Sequence, residues 1–162
     1  VRNLAHGTDC LGYSFVEKDK IRIKPKFVNK FPGPLLGKLQ QGKNIEFKGK
    51  KIKSSEATYL VPGKKISIIM DTRPCGNFVK LAQDADLLIS EATYLEEHKD
   101  KAEEYLHLTA KEAGMLANQA NVKRLVLLHF SSRYKEVGLI RDEAQEVFKD
   151  VVCAEDLMKF KV

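Results

Sequence analysis

The sequence predicts a layered α/β fold, and three observations support this prediction. Short apolar runs typical of strands alternate with helical segments over the second half of the chain. Short loops separate these segments. Three successive strand runs end on an ionisable residue, and these residues are Asp71, Glu91 and His129. Side chains at the strand ends on one side of such a sheet converge, so the three residues indicate a site.

In the first third of the chain, the pattern predicts three strands and one short helix. The strands cover residues 1–6, 12–16 and 21–23. The last two alternate like a pair joined near Asp19. From residue 24 to 49, repeated Pro and Gly residues break any regular pattern. Pro34 suits the first turn of a helix that is predicted to run to Gln41.

The rest of the chain predicts strands and helices in alternation. The strands are expected over residues 65–70, 86–90 and 124–128, with one or two edge strands in 151–162. The helices are expected over residues 77–85, 108–120 and 142–148. Thr109 followed by Glu112 predicts a capping box at the start of the second of these helices.

The composition indicates a single domain. The chain has 162 residues, 43% of them hydrophobic, which is enough for an ordinary core. No apolar run approaches the roughly 20 residues of a membrane span, so no membrane partner is expected. The first residues lack a Met and a signal peptide, so we expect that the chain begins within a longer protein or was processed. Three widely spaced cysteines favour a reducing, cytoplasmic setting.

Positive charge is concentrated in one stretch of the chain. Residues 18–53 contain 12 Lys or Arg and 2 acidic residues, whereas the remaining residues contain 16 and 20. Such a stretch is typical of an arm that binds a polyanion. A Lys-rich solvated surface of a heat-adapted protein explains the same composition, and the charge alone leaves both interpretations open.

Three of the four histidines stand where a metal ligand is expected. His6, His107 and His129 each follow an apolar run and precede small or turn-forming residues. His98 lies in a charged stretch and is expected to be exposed and without a role. Zinc prefers imidazole and carboxylate ligands on rigid elements, and a carboxylate such as Asp71 can bridge two metal ions. A metal hydrolase and a set of structural histidines both remain open at this point.

Six short motifs match one family in order and in spacing. They are His6-Gly7-Thr8-Asp9-Cys10-Leu11-Gly12-Tyr13, Phe31-Pro32-Gly33-Pro34-Leu35-Leu36, Asp71-Thr72-Arg73-Pro74-Cys75, Ser90-Glu91-Ala92-Thr93-Tyr94, His107-Leu108-Thr109 and Leu128-His129-Phe130-Ser131-Ser132-Arg133-Tyr134. Asp71 precedes His107 by 36 residues, and His107 precedes His129 by 22. Over essentially its whole length, the chain resembles ribonuclease Z, the tRNA 3′-processing endonuclease of the metallo-β-lactamase superfamily.

The resemblance implies half of a metallo-β-lactamase αββα sandwich with an inserted basic tRNA-binding arm. Residues 1–23 and 54–162 correspond to the C-terminal half of the metallo-β-lactamase domain. Residues 24–53 correspond to the arm that grips the tRNA elbow. The arm residues implied in this contact are Gly33 and Pro34 of its Gly-Pro motif and the lysines Lys24, Lys26, Lys30, Lys38 and Lys43. Lysine contacts to phosphate position RNA and make its binding salt-dependent.

The resemblance also implies roles in a centre with two Zn²⁺ ions per intact subunit. His6 and His129 correspond to zinc ligands, one on each metal, and Asp71 to the bridging carboxylate. His107 and Glu91 correspond to a catalytic pair in which the imidazole protonates the leaving oxygen and the carboxylate orients it. Residues that follow the last ligand are placed to bind the scissile phosphate, namely Arg133, Ser131 and Ser132. For Arg133, a local salt bridge is the alternative.

The chain departs from the family in what it lacks. The family's His-x-His-x-Asp-His stretch, which supplies most zinc ligands, belongs to its N-terminal half and does not occur here. We therefore expect a C-terminal piece that binds metal weakly or not at all alone. We also expect exposed apolar strand faces, and instability unless the piece pairs with its missing half or a second copy. Ser90 stands where many members have His, which affects at most a contact outside the metal ligands.

The function implied is removal of the 3′ trailer of precursor tRNA after the discriminator nucleotide, by a cytoplasmic enzyme that is a homodimer. Two alternatives remain from the sequence. The first is a metal-dependent phosphodiesterase of the same superfamily that acts on small substrates. The second is a non-catalytic tRNA-binding fragment, since the piece alone is expected to be inactive.

Overall fold

The computed structural model describes all 162 residues as two compact units. The first unit comprises Val1–Val16 and Lys64–Val162, and the second comprises Glu17–Gly63. The stretch 24–53, predicted to be an inserted arm, lies inside the second unit. No helix could cross a bilayer, because the longest has 10 residues and a span needs roughly 20.

Ten strands and seven α-helices make up the chain. The strands are β1 (Arg2–Asn3), β2 (Leu11–Val16), β3 (Lys20–Ile23), β4 (Ile45–Phe47), β5 (Lys50–Ile52), β6 (Thr58–Val61), β7 (Lys65–Ile69), β8 (Leu87–Glu91), β9 (Leu125–Leu128) and β10 (Val151–Cys153). The helices are α1 (Pro25–Val28), α2 (Gly33–Gln40), α3 (Ser54–Ala57), α4 (Gly76–Ala82), α5 (Lys99–Tyr105), α6 (Ala110–Gln119) and α7 (Gly138–Gln145).

The first unit is built on a six-stranded mixed sheet, which confirms the α/β prediction. The strand order is β1-β2-β7-β8-β9-β10, with parallel pairing from β7 to β10 and antiparallel pairing of β1 with β2 and of β2 with β7. One face of the sheet packs against α4, α6 and α7 around fully buried Phe78, Leu88, Leu125, Leu127 and Ile140. This arrangement points the carboxyl ends of β7, β8 and β9 to the same edge.

Helix α6 begins at the capping box that the sequence predicts. The Thr109 hydroxyl accepts a hydrogen bond from the Glu112 amide, and the Glu112 carboxylate accepts one from the Thr109 amide. Gly114 allows α6 to approach α7 closely, because a Cβ at this position would lie 3.0 Å from the Ala144 carbonyl oxygen. Local capping and tight helix packing together fix this helix over the sheet.

The opposite face of the same sheet is apolar and carries none of these helices. The strand register aligns Tyr13 with Ile68 and Ile68 with Ile89, and it aligns Phe15 with Ile66. Side chains at paired positions share one face. Tyr13 is 42% exposed and Phe15 is 58% exposed, and none of the five residues belongs to the helix-packed core.

The second unit contains two small antiparallel sheets and its own core. Strand β3 pairs with β6, and β4 pairs with β5 through a tight turn in which Lys48 and Gly49 both have positive φ. Leu39, Ile45 and Ala57 are buried in this core. The predicted short helix is present as α2.

The pairing of strands 12–16 and 21–23 predicted around Asp19 is wrong. Strand β2 pairs with β7, where the Ser14 hydroxyl contacts that of Ser67 at 3.0 Å, and β3 pairs with β6. The Asp19 carboxylate accepts a hydrogen bond from the Gly63 amide at 2.8 Å. It therefore ties the two ends of the second unit together rather than closing a hairpin.

Two predictions near the C-terminus are also corrected. The helix predicted over 142–148 is α7, which begins four residues earlier, at Gly138, without a side-chain cap that marks its start. The edge strands predicted over 151–162 reduce to β10, and residues 154–162 form no strand. The helices α1, α3 and α5 were not predicted, because segments of four to seven residues carry little periodic signal.

Asp86 provides a stability test within the first unit. Its carboxylate accepts hydrogen bonds from the Lys123 and Lys64 ammonium groups and from the Lys65 amide, and the Lys123 bond is the main reason that its pKa falls to about 2. A depressed pKa stabilises the fold above the unfolded value, near 4, and this contribution is lost as pH falls through about 2. We expect Asp86→Asn to remove about 1–2 kcal/mol at neutral pH, measured by urea unfolding.

The difference between wild type and Asp86→Asn should shrink as pH falls from about 4 to 2. Asp156→Asn is the matched control, because Asp156 is exposed. A difference in unfolding free energy that stays constant over this range would contradict the role given to the Asp86 carboxylate.

Candidate metal centre

Asp71, His107 and His129 bring metal-capable atoms together at the carboxyl edge of the sheet. One ligand atom from each lies within 4.8 Å of the others. The His129 Nε2 atom is 3.5 Å from Asp71 Oδ1. Asp71 and His129 both have positive φ, 48° and 61°, so the chain turns sharply just after β7 and β9. Backbone strain of this kind in a non-glycine residue often accompanies a functional site.

A fully buried carboxylate, that of Glu91, lies beneath this cluster. Its Oε2 atom accepts hydrogen bonds from His107 Nδ1 at 2.9 Å, the Thr93 hydroxyl at 2.7 Å and the Leu108 amide at 3.2 Å. Its Oε1 atom accepts one from the Thr72 amide at 2.6 Å. The Thr72 and Leu108 amides can only donate, so each carboxylate oxygen accepts at least one hydrogen bond, as an ionised carboxylate does. These four bonds offset the cost of burying the charge.

His107 follows α5 at a sharp turn, where Leu106 has a φ of 60°. The His107 amide donates to the Ala102 carbonyl at 2.8 Å, which holds the residue against the helix end. Because Nδ1 donates its proton to Glu91, the Nε2 atom keeps its lone pair in the neutral ring. The His107 and His129 ring centroids are 5.2 Å apart.

His6 lies beside the cluster, but it is not one of the three residues whose ligand atoms are closest. Its Nδ1 atom is 3.2 Å from the Leu106 carbonyl oxygen, which only accepts, so Nδ1 carries the proton. Its ring centroid is 5.5 Å from that of His107. The structure thus gathers Asp71, His129 and His107 most tightly, with His6 next to His107.

Cys10 reports the negative character of this edge. Burial, together with the charges of Asp71 and Glu91, raises the pKa of its thiol. The thiol donates to the Met70 carbonyl at 3.3 Å. Cys10 is therefore held by a backbone carbonyl, and it is not one of the three residues whose ligand atoms lie closest together.

Two further side chains, those of Arg73 and Glu112, brace the site, and neither was predicted to have a role in it. Arg73 makes two hydrogen bonds of 2.7 Å to the Glu112 carboxylate, and its Nη1 atom also donates to the His107 carbonyl at 2.5 Å. The Arg73 amide donates to the Ala5 carbonyl, next to His6. Arg73 therefore connects the segments of three candidate residues. The only sequence signal was its place two residues after Asp71.

The loop after His129 carries the predicted phosphate-binding residues. Arg133 and Ser132 are exposed, and Ser131 is half-buried, with its amide bonded to the Thr93 carbonyl at 3.1 Å. The Arg133 guanidinium lies 5.2 Å from the Tyr94 ring centroid, a cation–π contact rather than the alternative salt bridge. The guanidinium therefore contacts a ring whose centroid lies 6.3 Å from that of His107.

His98 is not the isolated surface residue that the sequence suggested. Its Nδ1 atom lies 3.1 Å from the Tyr134 hydroxyl, which in turn accepts a hydrogen bond from the Leu95 amide at 2.9 Å. Burial raises the pKa of Tyr134. The prediction failed because charged neighbours in sequence do not reveal a contact with a residue 36 positions away.

In the second unit, most of the predicted arm residues lie at the surface. Gly33 and Pro34 form the first turn of α2. Lys38 and Lys43 are exposed, and so are Lys26 and Lys30, whose ammonium groups lie 5.2 and 5.8 Å from the Phe27 ring centroid. Lys24 differs, because its ammonium donates to the Glu56 carbonyl at 3.0 Å.

Comparisons with curated proteins identify close relatives over nearly the whole chain. The chain is 36% identical over 159 residues to "Ribonuclease Z" of Protochlamydia amoebophila, and this match covers 97% of the chain and 52% of the relative. It is 40% identical over 163 residues to "Ribonuclease Z" of Methanosarcina mazei, with 97% and 53% covered. The chain therefore spans about half the length of the curated relatives it matches. No protein-family model matches it.

Solved structures with a similar fold include a metallo-β-lactamase fold protein and a ribonuclease Z. A metallo-β-lactamase fold protein, YhfI from Bacillus subtilis, aligns with a TM-score of 0.53 and 25% identity over 60% of this chain and 40% of that one. A long form RNase Z from yeast aligns with a TM-score of 0.51 and 30% identity over 58% of this chain and 13% of that one. Over nearly all of its own length, the chain is homologous to proteins named ribonuclease Z, and it has a metallo-β-lactamase fold.

Proposed function

We propose that this chain is part of a zinc-dependent endoribonuclease that removes the 3′ trailer of precursor tRNA after the discriminator nucleotide. The observation that carries the proposal is the Asp71–His107–His129 cluster above buried Glu91, in a chain 36–40% identical to proteins named ribonuclease Z. The cluster lies at the carboxyl ends of parallel strands, where ligands bind in open α/β sheets.

The cluster fits zinc, since Asp71 offers a carboxylate and His129 an imidazole nitrogen within 4.8 Å of each other. Asp71 and His129 would hold metal, with Asp71 as the bridge, and His6 would serve the second ion. When bound, the two ions supply Lewis-acid stabilisation of the charge on the phosphate oxygens. Two ions per intact subunit are proposed on the family resemblance.

His107 is the residue proposed to move a proton. In its protonated form, its Nε2–H would donate to the leaving 3′ oxygen of the tRNA, while Glu91 holds Nδ1 at 2.9 Å and orients the ring. Arg133 would bind the scissile phosphate, with Ser131 and Ser132 as further donors. The proposed proton donor and the proposed phosphate-binding residues come from different segments of the chain.

The basic second unit supports precursor tRNA as the substrate. Its exposed lysines Lys26, Lys30, Lys38 and Lys43 would contact phosphates along the RNA backbone. Gly33 and Pro34 would shape the end of the arm. A small phosphodiester substrate needs no such surface, which disfavours the alternative of a small-substrate phosphodiesterase.

We further propose that the whole enzyme contains an N-terminal half that this chain does not include. The three proposed ligand residues Asp71, His129 and His6 cannot complete two tetrahedral zinc sites. The sheet face that carries Tyr13 and Phe15 is apolar and has no covering helix. An N-terminal half with the His-x-His-x-Asp-His stretch would supply the missing zinc ligands and cover the apolar sheet face. The chain alone should therefore bind zinc weakly or not at all.

The setting and assembly are proposed on similar grounds. Three free cysteines support a reducing, cytoplasmic location. A homodimer is proposed on the family resemblance alone. Sedimentation of the intact protein tests the assembly, and a monomer at micromolar concentration would contradict it.

The test of function is cleavage of a 3′-extended precursor tRNA by the intact protein in the presence of zinc. We expect a single cut after the discriminator nucleotide and its loss in Asp71→Ala, whereas Asp156→Ala, at an exposed position, should cut normally. The absence of a cut, or a cut that survives in Asp71→Ala, would contradict the proposal. Gel-shift binding without cleavage in the intact protein would favour a non-catalytic tRNA-binding role.

A second assay separates the two hydrolase functions. A variant in which Lys26, Lys30, Lys38 and Lys43 are all replaced by Gln should bind precursor tRNA more weakly and with a shallower salt dependence. It should still hydrolyse a small phosphodiester at the wild-type rate. Equal activity of the variant on precursor tRNA would support the small-substrate enzyme instead.

A further inference from the structure

Thr93 stands between the buried carboxylate and the histidine at the end of β9. It lies just after β8 and is 6% exposed. Its hydroxyl oxygen is 2.7 Å from Glu91 Oε2 and 3.0 Å from His129 Nδ1. No role was predicted for Thr93 from the sequence, and the function proposed above does not use it.

The direction of these two hydrogen bonds follows from the number of protons that each group carries: one on the Thr93 hydroxyl and none on the Glu91 carboxylate. Ionised Glu91 only accepts, so the single hydroxyl proton of Thr93 points to Glu91. The hydroxyl oxygen can then only accept from His129, and Nδ1 of His129 must carry the ring proton. The neutral ring therefore has its lone pair on Nε2.

If the His129 ring proton were on Nε2 instead, its nearest acceptor would be the Asp71 carboxylate. Asp71 Oδ1 lies 3.5 Å from His129 Nε2, and a proton on Nε2 would be drawn towards this carboxylate. A separation of 3.5 Å is longer than an ordinary hydrogen bond, whereas the 3.0 Å between Thr93 and Nδ1 is within the usual range. The hydrogen bond to Thr93 therefore favours the His129 tautomer with its proton on Nδ1 over the tautomer with its proton on Nε2, which Asp71 would favour.

We propose that Thr93 is a positioning residue. Its hydroxyl acts as a relay through which Glu91 orients His129, whereas Glu91 orients His107 by direct contact. Glu91 fixes His107 directly at 2.9 Å and fixes His129 through the Thr93 hydroxyl. In the neutral form, both imidazoles then carry their lone pair on Nε2. For His129, this is the atom that faces Asp71, where the proposed metal requires an unprotonated nitrogen.

The tautomer can be measured without metal and without activity. The chain has only four histidines, so ¹⁵N-labelled histidine gives few signals, and a pH well above the usual His pKa of about 6.5 keeps them neutral. We expect the Nδ1–H pattern for His129 in wild type and in Thr93→Ser. In Thr93→Val, which keeps the shape but loses the hydroxyl, we expect a shift to Nε2–H or a mixture.

His107 is the internal control, because its bond to Glu91 does not involve Thr93. If Thr93→Val also disturbs the His107 signals, the comparison of Thr93→Ser with Thr93→Ala replaces it, since these two differ in the hydroxyl alone. An Nε2–H pattern for His129 in wild type would overturn the relay. So would an unchanged Nδ1–H pattern in both Val and Ala variants.

A measurement of zinc affinity is a second test of the relay, and it rests on the proposed metal site. In the intact protein, we expect Thr93→Val to weaken zinc binding about 10–100-fold in a chelator competition, and Thr93→Ser to stay close to wild type. If the tautomer shifts while zinc affinity is unchanged, the relay stands and His129 is not a ligand. If neither changes, the relay itself is wrong.

Discussion

Replacing Glu91 by glutamine is expected to lower the free energy of unfolding by about 3–5 kcal/mol. The carboxylate is fully buried and accepts from four donors, which come from Thr72, Thr93, His107 and Leu108. Glutamine keeps one accepting oxygen, but its amide group turns two hydrogens towards groups that also donate. At least one buried donor is left without a partner, and bonds to a charged acceptor are lost.

The measurement is urea unfolding of wild type and Glu91→Gln, followed by circular dichroism. Glu104→Gln is the matched control, because Glu104 is 55% exposed and pairs only with Lys101 at the surface. It should cost less than about 1 kcal/mol. A Glu91→Gln loss as small as that of the control would mean that the segments around the site are held by backbone packing and not by this carboxylate.

The same substitution should affect both candidate histidines. His107 loses its charged partner directly, and His129 loses the orientation that the Thr93 hydroxyl takes from Glu91. Under the proposed function, cleavage of precursor tRNA by the intact protein should therefore fall more steeply in Glu91→Gln than in Thr93→Val, which leaves the His107 contact in place. The reverse order would argue that Glu91 acts on one histidine only.

The strand ends explain how much of the site the sequence could predict. Asp71, Glu91 and His129 each close an apolar run, and parallel strands bring such residues together whatever the details of packing. The Thr109 capping box was predictable for a similar reason, since its two partners lie three residues apart. These features depend on local pattern and on one general property of α/β sheets.

The contacts that the sequence did not predict join residues far apart along the chain. Thr93 meets His129 across 36 residues, and Arg73 meets Glu112 across 39. Asp71 lies closer to His107 than to His6, and this depends on the left-handed turn at Leu106. The turn residue is not glycine, so the sequence does not indicate the turn. Tertiary packing sets these distances, and periodicity carries no information about them.

Strand partners were hard to predict for a related reason. Alternation in residues 12–16 and 21–23 identified two strands, but alternation does not identify the neighbour of a strand. Here each strand belongs to a different compact unit. Asp19 looked like a turn residue, and it serves instead as an acceptor for the Gly63 amide.

The Arg73–Glu112 pair is expected to show the second largest effect on stability. The two side chains are 17% and 12% exposed, and two 2.7 Å bonds join them in a parallel arrangement. Glu112→Gln should keep the capping bond to the Thr109 amide while it leaves Arg73 poorly paired. Arg73→Met should keep the packing of the side-chain stem. We expect each to lower the unfolding free energy by about 2–4 kcal/mol.

A double-mutant cycle measures whether these losses share one cause. If the ion pair carries the effect, the combined variant should cost about 2 kcal/mol less than the sum of the single losses. Glu103→Gln supplies the control, because Glu103 is 60% exposed and lies 3.9 Å from the same guanidinium, so its loss should stay below about 1 kcal/mol. Additive losses would instead assign the cost of Glu112→Gln to the helix cap. Arg73 would then act mainly through the His107 carbonyl, and its loss should disturb the imidazole signals of His107 more than Glu112→Gln does.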